Sequence, residues 1–504
     1  MGLYHSTRSA SPTFTSKEAI RRGIAPDGGL FVSDDLGGTT IDISTLADKD
    51  YPTLAREVMG ALLPDYSADE IAACVDEAYA GTFASSEVTP LVPLSQAPNA
   101  DGTPTYVMEL FGGPTSAFKD VALQMLPRLM ARTAGVEGES IMIVTATSGD
   151  TGKAALAGFA DAPGCGITVF YPEGKVSHVQ NLQMSTQEGA NVAVCAVRGN
   201  FDDAQTAVKQ IFANKELGER LAQGGTILSS ANSINVGRLV PQVVYYFAAY
   251  AQLLRAGAIQ VGDAVEFCVP TGNFGDILAG YYAKRMGLPV AKLFVASDKN
   301  NVLADFLATG TYDRKRPFYT TTSPSMDILV SSNLERMLYY LADGDCELVA
   351  DLMSKLADEG NYQIPAELLE RIRTVFDGGW ADEDQVAAAI RRCWDENGYV
   401  IDPHTACGYH VMEQTAAVEG TACRVLLSTA SPYKFPKAVA EALGLFCPPD
   451  DFACMEVLAK HTGTTAPAQL AELKTKPVRF EDVVDVADMG SYVEQAANRI
   501  AEEA

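Results

Sequence analysis

Lys119 is the residue of this sequence best placed for covalent chemistry. It follows a turn-forming Gly-Gly-Pro run at 112–114 and begins an apolar stretch with helical spacing. A lysine at a helix start is usually a surface residue, but Ala117, Phe118 and Val121 give Lys119 an apolar frame. This frame favours a positioned amine, which can form an imine with a carbonyl group.

A first glycine loop, 145–153, lies between an apolar strand and a predicted helix. A nucleotide-binding P-loop requires four residues between its glycines and Ser or Thr after the lysine. Only two residues separate Gly149 from Gly152, and alanine follows Lys153, so this reading is excluded. Hydroxyls and free N–H groups at a helix N-terminus still predict a general anion site. A plain capping turn remains the alternative.

A second glycine loop, 272–276 (Gly-Asn-Phe-Gly-Asp), follows the apolar strand segment 267–270. Its glycines allow the backbone to approach a ligand closely, and the following helix adds its positive end. Alone, this loop could be an ordinary strand-to-helix turn. Together with Lys119 and the first loop, it predicts a bound phosphorylated ligand. A lysine beside a phosphate cradle suits Schiff-base chemistry with pyridoxal 5′-phosphate.

Composition excludes several other classes of protein. The chain has 504 residues, which suggests roughly three structural units. Its net charge of −26 disfavours nucleic-acid binding, which relies on Lys and Arg. The ten cysteines form no pattern typical of a zinc ribbon or redox motif, so we expect free thiols and no metal. No secretory signal or membrane-spanning run is visible, so we expect a cytoplasmic protein without a membrane partner.

The arrangement of elements predicts an α/β fold with three regions. Residues 1–95 form a mostly helical N-terminal region, 96–340 an α/β core, and 341–504 a helical region that returns to the core around 423–435. The core strands are predicted at 106–110, 140–146, 167–171, 191–197, 226–229, 264–269 and 290–296, and the helices at 119–134, 153–159, 177–187, 201–212, 236–256 and 276–285. Apolar strands that alternate with helices indicate parallel sheet covered on both faces, with ligands at the carboxyl ends of strands. A proline-rich linker is predicted around 89–94, N-caps at Ser16 and Ser67, and a helical acidic tail from 468.

These motifs together resemble the signatures of the threonine synthase family. The similar segments are 113–120, 147–152 and 272–276 in the core, 26–31 near the N-terminus, and 323–333 and 401–406, which resemble segments of the longer microbial and fungal members. The resemblance covers nearly the whole chain. It implies a pyridoxal-phosphate enzyme of fold type II, the group that includes the tryptophan synthase β subunit.

The resemblance also implies roles for individual residues. Lys119 would be the Schiff-base lysine, and Asp150 would lie near the 3′ oxygen of the cofactor. Thr429 would face the pyridine nitrogen, where a hydroxyl makes the ring a milder electron sink than a carboxylate would. The residues that match the cofactor-phosphate site are Gly272, Asn273, Phe274, Gly275 and Asp276.

The implied substrate is O-phospho-L-homoserine, which needs its own phosphate pocket on this acidic protein. The segment 232–238 offers two amides, a hydroxyl and an arginine, whose planar fork suits phosphate. A helix cap with a surface arginine is the simpler interpretation of the same residues. The predicted substrate-binding residues are Thr147, Ser148, Thr151, Asn232, Ser233, Asn235 and Arg238. We also expect a monomer.

Two other functions remain open. A serine/threonine dehydratase or a sulfhydrylase would share Lys119 and the 272–276 loop, but we would not expect it to carry the 26–31 and 323–333 segments. A noncatalytic paralogue could bind phosphorylated ligands, although the intact Lys119 argues against it. We interpret His404 as structural. Ser431 departs from the pattern, since similar sequences commonly carry histidine there.

Overall fold

The computed structural model describes residues 3–133, 139–147 and 149–503. The strands are β1 (Tyr4–Ser6), β2 (Ser9–Phe14), β3 (Phe31–Ser33), β4 (Leu91–Pro93), β5 (Thr105–Glu109), β6 (Ser140–Ala146), β7 (Cys165–Pro172), β8 (Val192–Arg198), β9 (Thr226–Ser229), β10 (Ala264–Pro270), β11 (Val290–Ser297), β12 (Thr311–Asp313), β13 (Asn361–Gln363), β14 (Phe376–Trp380), β15 (Thr421–Ser428) and β16 (Val483–Asp485). The α-helices are α1 (Ser16–Arg22), α2 (Tyr51–Leu62), α3 (Ala68–Tyr79), α4 (Lys119–Ala131), α5 (Asp150–Phe159), α6 (His178–Ser185), α7 (Phe201–Ala213), α8 (Lys215–Gln223), α9 (Val236–Arg255), α10 (Gly275–Arg285), α11 (Val302–Thr309), α12 (Leu334–Leu341), α13 (Cys346–Asp358), α14 (Ala366–Val375), α15 (Glu383–Asn397), α16 (Pro403–Gln414), α17 (Pro436–Ala442), α18 (Asp451–Thr462), α19 (Ala468–Ala471) and α20 (Met489–Glu503).

Two parallel sheets form the core and confirm the predicted α/β class. The first has the strand order β16-β8-β7-β6-β9, and all its pairs are parallel. The second has the order β14-β11-β10-β15-β5-β4, in which only β4 runs antiparallel to its neighbour. Helix α9 is buried along nearly its whole length and packs against α2, α4 and α10. Among the described helices, none is both long and apolar enough to cross a bilayer.

The N-terminal region contains more strand than its sequence indicates. Strands β1, β2 and β3 form an antiparallel sheet beside α1, α2 and α3. Ser67 caps α3 as predicted, but α1 begins one residue earlier than expected for an N-cap at Ser16. Thr15 is the cap, and its hydroxyl and Glu18 form a reciprocal capping box.

Three further segments differ from the sequence-based prediction. The proline-rich segment contains the edge strand β4, where Pro93 can be accommodated because an edge does not need every N–H. The acidic tail is not wholly helical, since β16 adds to the edge of the first sheet beside β8. Both strands have three residues, too short for a periodic signal. The helix predicted at 119–134 ends at Ala131, and Ala134 lies outside the described residues.

The carboxyl ends of the parallel strands point toward one shared region. The loops after β6, β9, β10 and β15 carry the segments around Thr147, Asn232, Gly272 and Thr429. The turn before Lys119 is attached to the end of β15, because the Phe118 N–H donates to the Thr429 carbonyl oxygen at 2.8 Å. The fold therefore brings together loops that are distant in the sequence.

Candidate active site

Lys119 is the first residue of α4, and its side chain is only 8% exposed. Its Nζ donates to Ser325 Oγ at 3.0 Å and lies 3.7 Å from Asp150 Oδ2. Burial lowers the pKa of Lys119 to about 8, with help from the cations Arg238 and Lys434, although Asp150 opposes the shift. The neutral form of this amine, which a nucleophile or base requires, is therefore much more populated near neutral pH than that of an exposed lysine.

Asp150 is a buried carboxylate held in its charged form by cations. Burial alone would raise its pKa, but Lys434 and Lys119 hold the pKa of Asp150 well below its usual range. Lys434 Nζ lies 2.7 Å from Asp150 Oδ1, and Gln180 Nε2 donates to the same oxygen at 3.2 Å. Ser325 Oγ donates to Asp150 Oδ2 at 3.3 Å. Lys119 and Asp150, both predicted site residues, thus belong to one buried polar network.

His404 holds the main chain of Ser325 in place. The Ser325 N–H donates to His404 Nε2 at 3.1 Å, and His404 Nδ1 lies 2.6 Å from Asp402 Oδ2. Because Nε2 accepts this hydrogen bond, it carries no proton, and the ring proton is on Nδ1, which donates to Asp402. Asp402 is also the N-cap of α16, and the ring packs 5.0 Å from that of Phe435. His404 is therefore a positioning residue.

The loop after β10 forms a cradle of main-chain groups beside this network. A Cβ at Gly272 would lie 2.8 Å from the Ser325 carbonyl oxygen, so glycine permits the close approach of these two segments. Phe274 has the left-handed φ of 62°, and α10 begins at the next residue. The first-turn N–H groups of a helix have no acceptor within the helix, so they suit an anion.

The side chain of Asp276 points toward α9 and is not arranged to bind an anion. Its Oδ1 accepts hydrogen bonds from the hydroxyls of Tyr245 and Tyr246 on α9, the latter at 3.2 Å. Burial raises the pKa of Asp276 to about 7, even though both tyrosines oppose the shift. Any contribution of Asp276 to a phosphate site would therefore come from its main chain in the first turn of α10.

Arg238 is a buried cation that forms no ion pair with any of the described carboxylates. Its side chain donates from Nη1 to the Ala231 carbonyl oxygen at 3.1 Å, and among the described residues its Nε has no hydrogen-bond partner. Burial lowers the pKa of Arg238 to about 10, so the group remains charged at neutral pH. An uncompensated buried guanidinium is costly, and an anionic ligand would offset that cost.

In segment 232–235, some polar side chains are used in hydrogen bonds within the protein and others can still bind a ligand. Asn235 is fully engaged, since its amide donates to the Ile20 and Ser230 carbonyls at 2.9 and 3.0 Å and accepts from the Gly237 N–H at 2.9 Å. This caps α9 and ties it to α1. Asn232 Oδ1 accepts from the Thr145 hydroxyl at 2.7 Å, and its amide hydrogens have no acceptor among the described residues. Ser233 Oγ lies 3.3 Å from Ser332 Oγ.

The loop after β6 is organised by one hydroxyl. Thr147 Oγ1 accepts from the Gly149 and Gly152 N–H groups at 3.0 and 2.9 Å, so this oxygen shapes the loop. Thr151 lies half-buried in the first turn of α5. Ser148, a predicted substrate contact, lies outside the described residues. The loop geometry thus supports an anion site at the α5 N-terminus. Thr147 contributes mainly by holding the loop in shape, not by direct contact with the anion.

Thr429 lies where β15 ends, buried and next to the lysine-bearing turn. Its carbonyl oxygen accepts a hydrogen bond from the Phe118 N–H at 2.8 Å. The Ser431 N–H donates to the Ser116 carbonyl oxygen at 3.0 Å, and the Ser431 hydroxyl caps the following 3₁₀ turn. Serine at this position therefore stabilises the loop after β15.

The sequence alone offers little sign of three residues in this network. Ser325, Gln180 and Lys434 all contact Asp150. The best available signal is Lys434, a charged residue between Tyr433 and Phe435 just after the buried strand β15. Ser325 lies in the family-like segment 323–333, but nothing about its local sequence indicates contact with Lys119.

Comparison with known proteins identifies relatives along the whole chain. Family models described as pyridoxal-phosphate dependent enzyme, threonine synthase N terminus and threonine synthase C-terminal match residues 84–428, 3–79 and 405–493, respectively. The threonine synthase of Schizosaccharomyces pombe is 39% identical over 88% of this chain and 90% of its own length. Human threonine synthase-like 1 is also 39% identical, over 84% of this chain, but this chain spans only 58% of its length.

A solved structure shares the architecture. The crystal structure of threonine synthase from Brucella melitensis with bound pyridoxal phosphate has a TM-score of 0.85 and 37% identity. The alignment covers 99% of this chain and 100% of that one. The similarity therefore includes the N-terminal region and the C-terminal helices as well as the two-sheet core.

Proposed function

This chain belongs to the threonine synthase family of pyridoxal-phosphate-dependent enzymes, and on that premise we propose that it converts O-phospho-L-homoserine and water to L-threonine and inorganic phosphate. The observation that carries the proposal is the buried cluster itself. The pKa of Lys119 is lowered to about 8, in part by the positive charge of Arg238. Arg238 itself has no carboxylate partner among the described residues. This combination suits a base acting on a phosphorylated amino acid.

Pyridoxal 5′-phosphate is the cofactor of this family, and the residues present fit it. The main-chain cradle of Gly272, Asn273, Phe274 and Gly275 would hold its phosphate, since the first turn of α10 supplies free N–H groups. Asp150 would lie near the 3′ oxygen and Thr429 near the pyridine nitrogen. When bound, the cofactor supplies an aldehyde for attachment to Lys119 and a conjugated ring that delocalises charge from the substrate Cα.

Lys119 acts as the proton carrier. Its neutral amine removes the proton from the substrate Cα, and we assign the removal of the Cβ proton to the same amine. Ser325 and Asp150 orient Nζ, since the hydroxyl lies 3.0 Å and the carboxylate 3.7 Å away. After the phosphate leaves, Lys119 and the released phosphate can return protons to Cγ and Cα, and water adds at Cβ.

Arg238 would bind the γ-phosphate of the substrate, with Asn232 and Ser233 as further donors. Asn235 supports them by fixing the N-terminus of α9. Thr147 and Thr151 lie on the opposite loop, where the first turn of α5 provides main-chain N–H groups. Binding energy from this remote phosphate can position the Cα–H against Lys119.

The proposed setting is a monomeric cytoplasmic enzyme with a small-molecule substrate. The direct test measures inorganic phosphate and L-threonine formed from O-phospho-L-homoserine by the cofactor-loaded protein, with phosphate release in equal amount to threonine. Deamination of L-serine or L-threonine without phosphate release would instead indicate a dehydratase. Saturable binding of O-phospho-L-homoserine without turnover would indicate a noncatalytic paralogue.

We predict that His404→Leu lowers kcat while His404→Gln restores part of it. The Gln carbonyl oxygen can accept from the Ser325 N–H, whereas Leu cannot, and a misplacement of Ser325 disturbs Lys119. A displacement of this kind costs up to about a hundredfold in rate. Steady-state kinetics with thermal melts as a folding control provide the measurement. Equal activities in the two folded variants would show that the Ser325 contact does not matter.

A further inference from the structure

Cys447 and Cys454 form a close thiol pair outside the active site. Their Sγ atoms lie 2.8 Å apart. This separation is about 0.8 Å longer than a disulfide bond, so small movements would close it. Among the ten cysteines, all in described segments, these are the two whose sulfurs contact each other. The pair is reduced in this structure.

The local structure holds this pair together. Cys447 lies in the loop between α17 and α18 and is followed by two prolines, which restrict the backbone. Cys454 lies in the first turns of α18, and its Sγ donates to the Pro436 carbonyl oxygen at 3.4 Å. Lys437 and Asp451, 2.9 Å apart, join the same two helices. These contacts therefore hold the two sulfur atoms close to each other.

The two thiols differ in their access to solvent. Cys447 is partly exposed, whereas Cys454 is fully buried. Burial is the main cause that raises the pKa of Cys454 well above its usual value, and the neighbouring Cys447 adds to the increase. A buried thiol of this kind is a poor first nucleophile, so Cys447 is the sulfur that a reagent reaches first.

We propose that Cys447 and Cys454 are a modification site that low-molecular-weight disulfides oxidise to a reversible intramolecular disulfide. The Cys447 thiolate attacks one sulfur of the reagent, and the other leaves as a thiolate. Cys454 Sγ then attacks Cys447 Sγ, the new S–S bond forms, and the second reagent thiolate leaves with the Cys454 proton. Two protein thiols and one reagent disulfide thus become one protein disulfide and two reagent thiols.

The test treats the folded full-length protein with oxidised glutathione, then quenches, denatures and alkylates it. Trypsin releases residues 438–460, which contain both cysteines and no other. We expect this peptide to become predominantly a form lighter by about two mass units and resistant to alkylation, and dithiothreitol to reverse the change. A disulfide reagent is preferable to peroxide because Met455 lies in the same peptide and would oxidise.

Three variants define the order of events. Cys454→Ser should trap glutathione on Cys447, whereas Cys447→Ser should leave Cys454 unmodified because that thiol is buried. Cys346→Ser is the matched control, because Cys346 is also partly exposed but has no sulfur neighbour, and it should form the disulfide like the wild type. Full alkylation of both cysteines in treated wild-type protein, or glutathione on Cys454 in Cys447→Ser, would overturn the proposal.

Discussion

Replacing Lys119 with alanine is expected to abolish turnover of O-phospho-L-homoserine. Alanine provides neither an amine for covalent attachment of the cofactor nor a base for the Cα proton. Loss of a positioned base alone costs about a hundred- to ten-thousandfold in rate, and loss of the covalent attachment adds to it. Phosphate release measures the rate, and visible absorbance with mass spectrometry after borohydride reduction measures covalent cofactor.

A second lysine provides the control for this experiment. Lys284 is half-buried at the far end of α10, and burial lowers its pKa as well. Its ammonium donates to the Val290 carbonyl oxygen, away from the proposed site. Lys284→Ala should therefore keep both turnover and covalent cofactor. Near wild-type turnover by Lys119→Ala would remove Lys119 from the chemistry.

Arg238→Ala is expected to weaken binding of O-phospho-L-homoserine roughly ten- to a hundredfold, the cost of losing a charge-assisted contact. Affinity for pyridoxal phosphate should change little, because the proposed cofactor cradle is the main chain after β10. Arg238→Lys should lie between alanine and wild type, since it keeps the charge but loses the planar fork. Isothermal titration of the cofactor-free protein measures affinity for pyridoxal phosphate, and the KM from phosphate release by the cofactor-loaded protein reports on the substrate.

L-Threonine provides a matched ligand for Arg238, because it lacks the phosphate group. Its binding to the cofactor-loaded enzyme should be nearly the same in Arg238→Ala and in the wild type. An equal loss of affinity for pyridoxal phosphate and for O-phospho-L-homoserine would instead assign Arg238 to the cofactor site or to the structure of α9. A loss of L-threonine binding equal to that of the phosphorylated substrate would exclude a phosphate-specific role.

The sequence was sufficient for several features whose determining interactions are local. The strands 140–146 and 226–229 were predicted at their observed bounds, because apolar runs between turn residues specify them. The Ser67 cap of α3 likewise depends on contacts within one helical turn. The α/β class, the family and the cofactor are confirmed by the sheets and the relatives. The region boundaries at 95 and 340 stay a prediction.

Only the tertiary structure decided what surrounds Lys119. Ser325 lies 206 residues from Lys119 and 175 from Asp150, so no local pattern connects them. Likewise the orientation of Asp276 toward Tyr245, 31 residues away, depends on how α9 packs on α10. Local sequence determines which residues end a strand or begin a helix. Burial and charge pairing arise when distant segments pack together, and these set the pKa values and contacts on which the proposed chemistry depends.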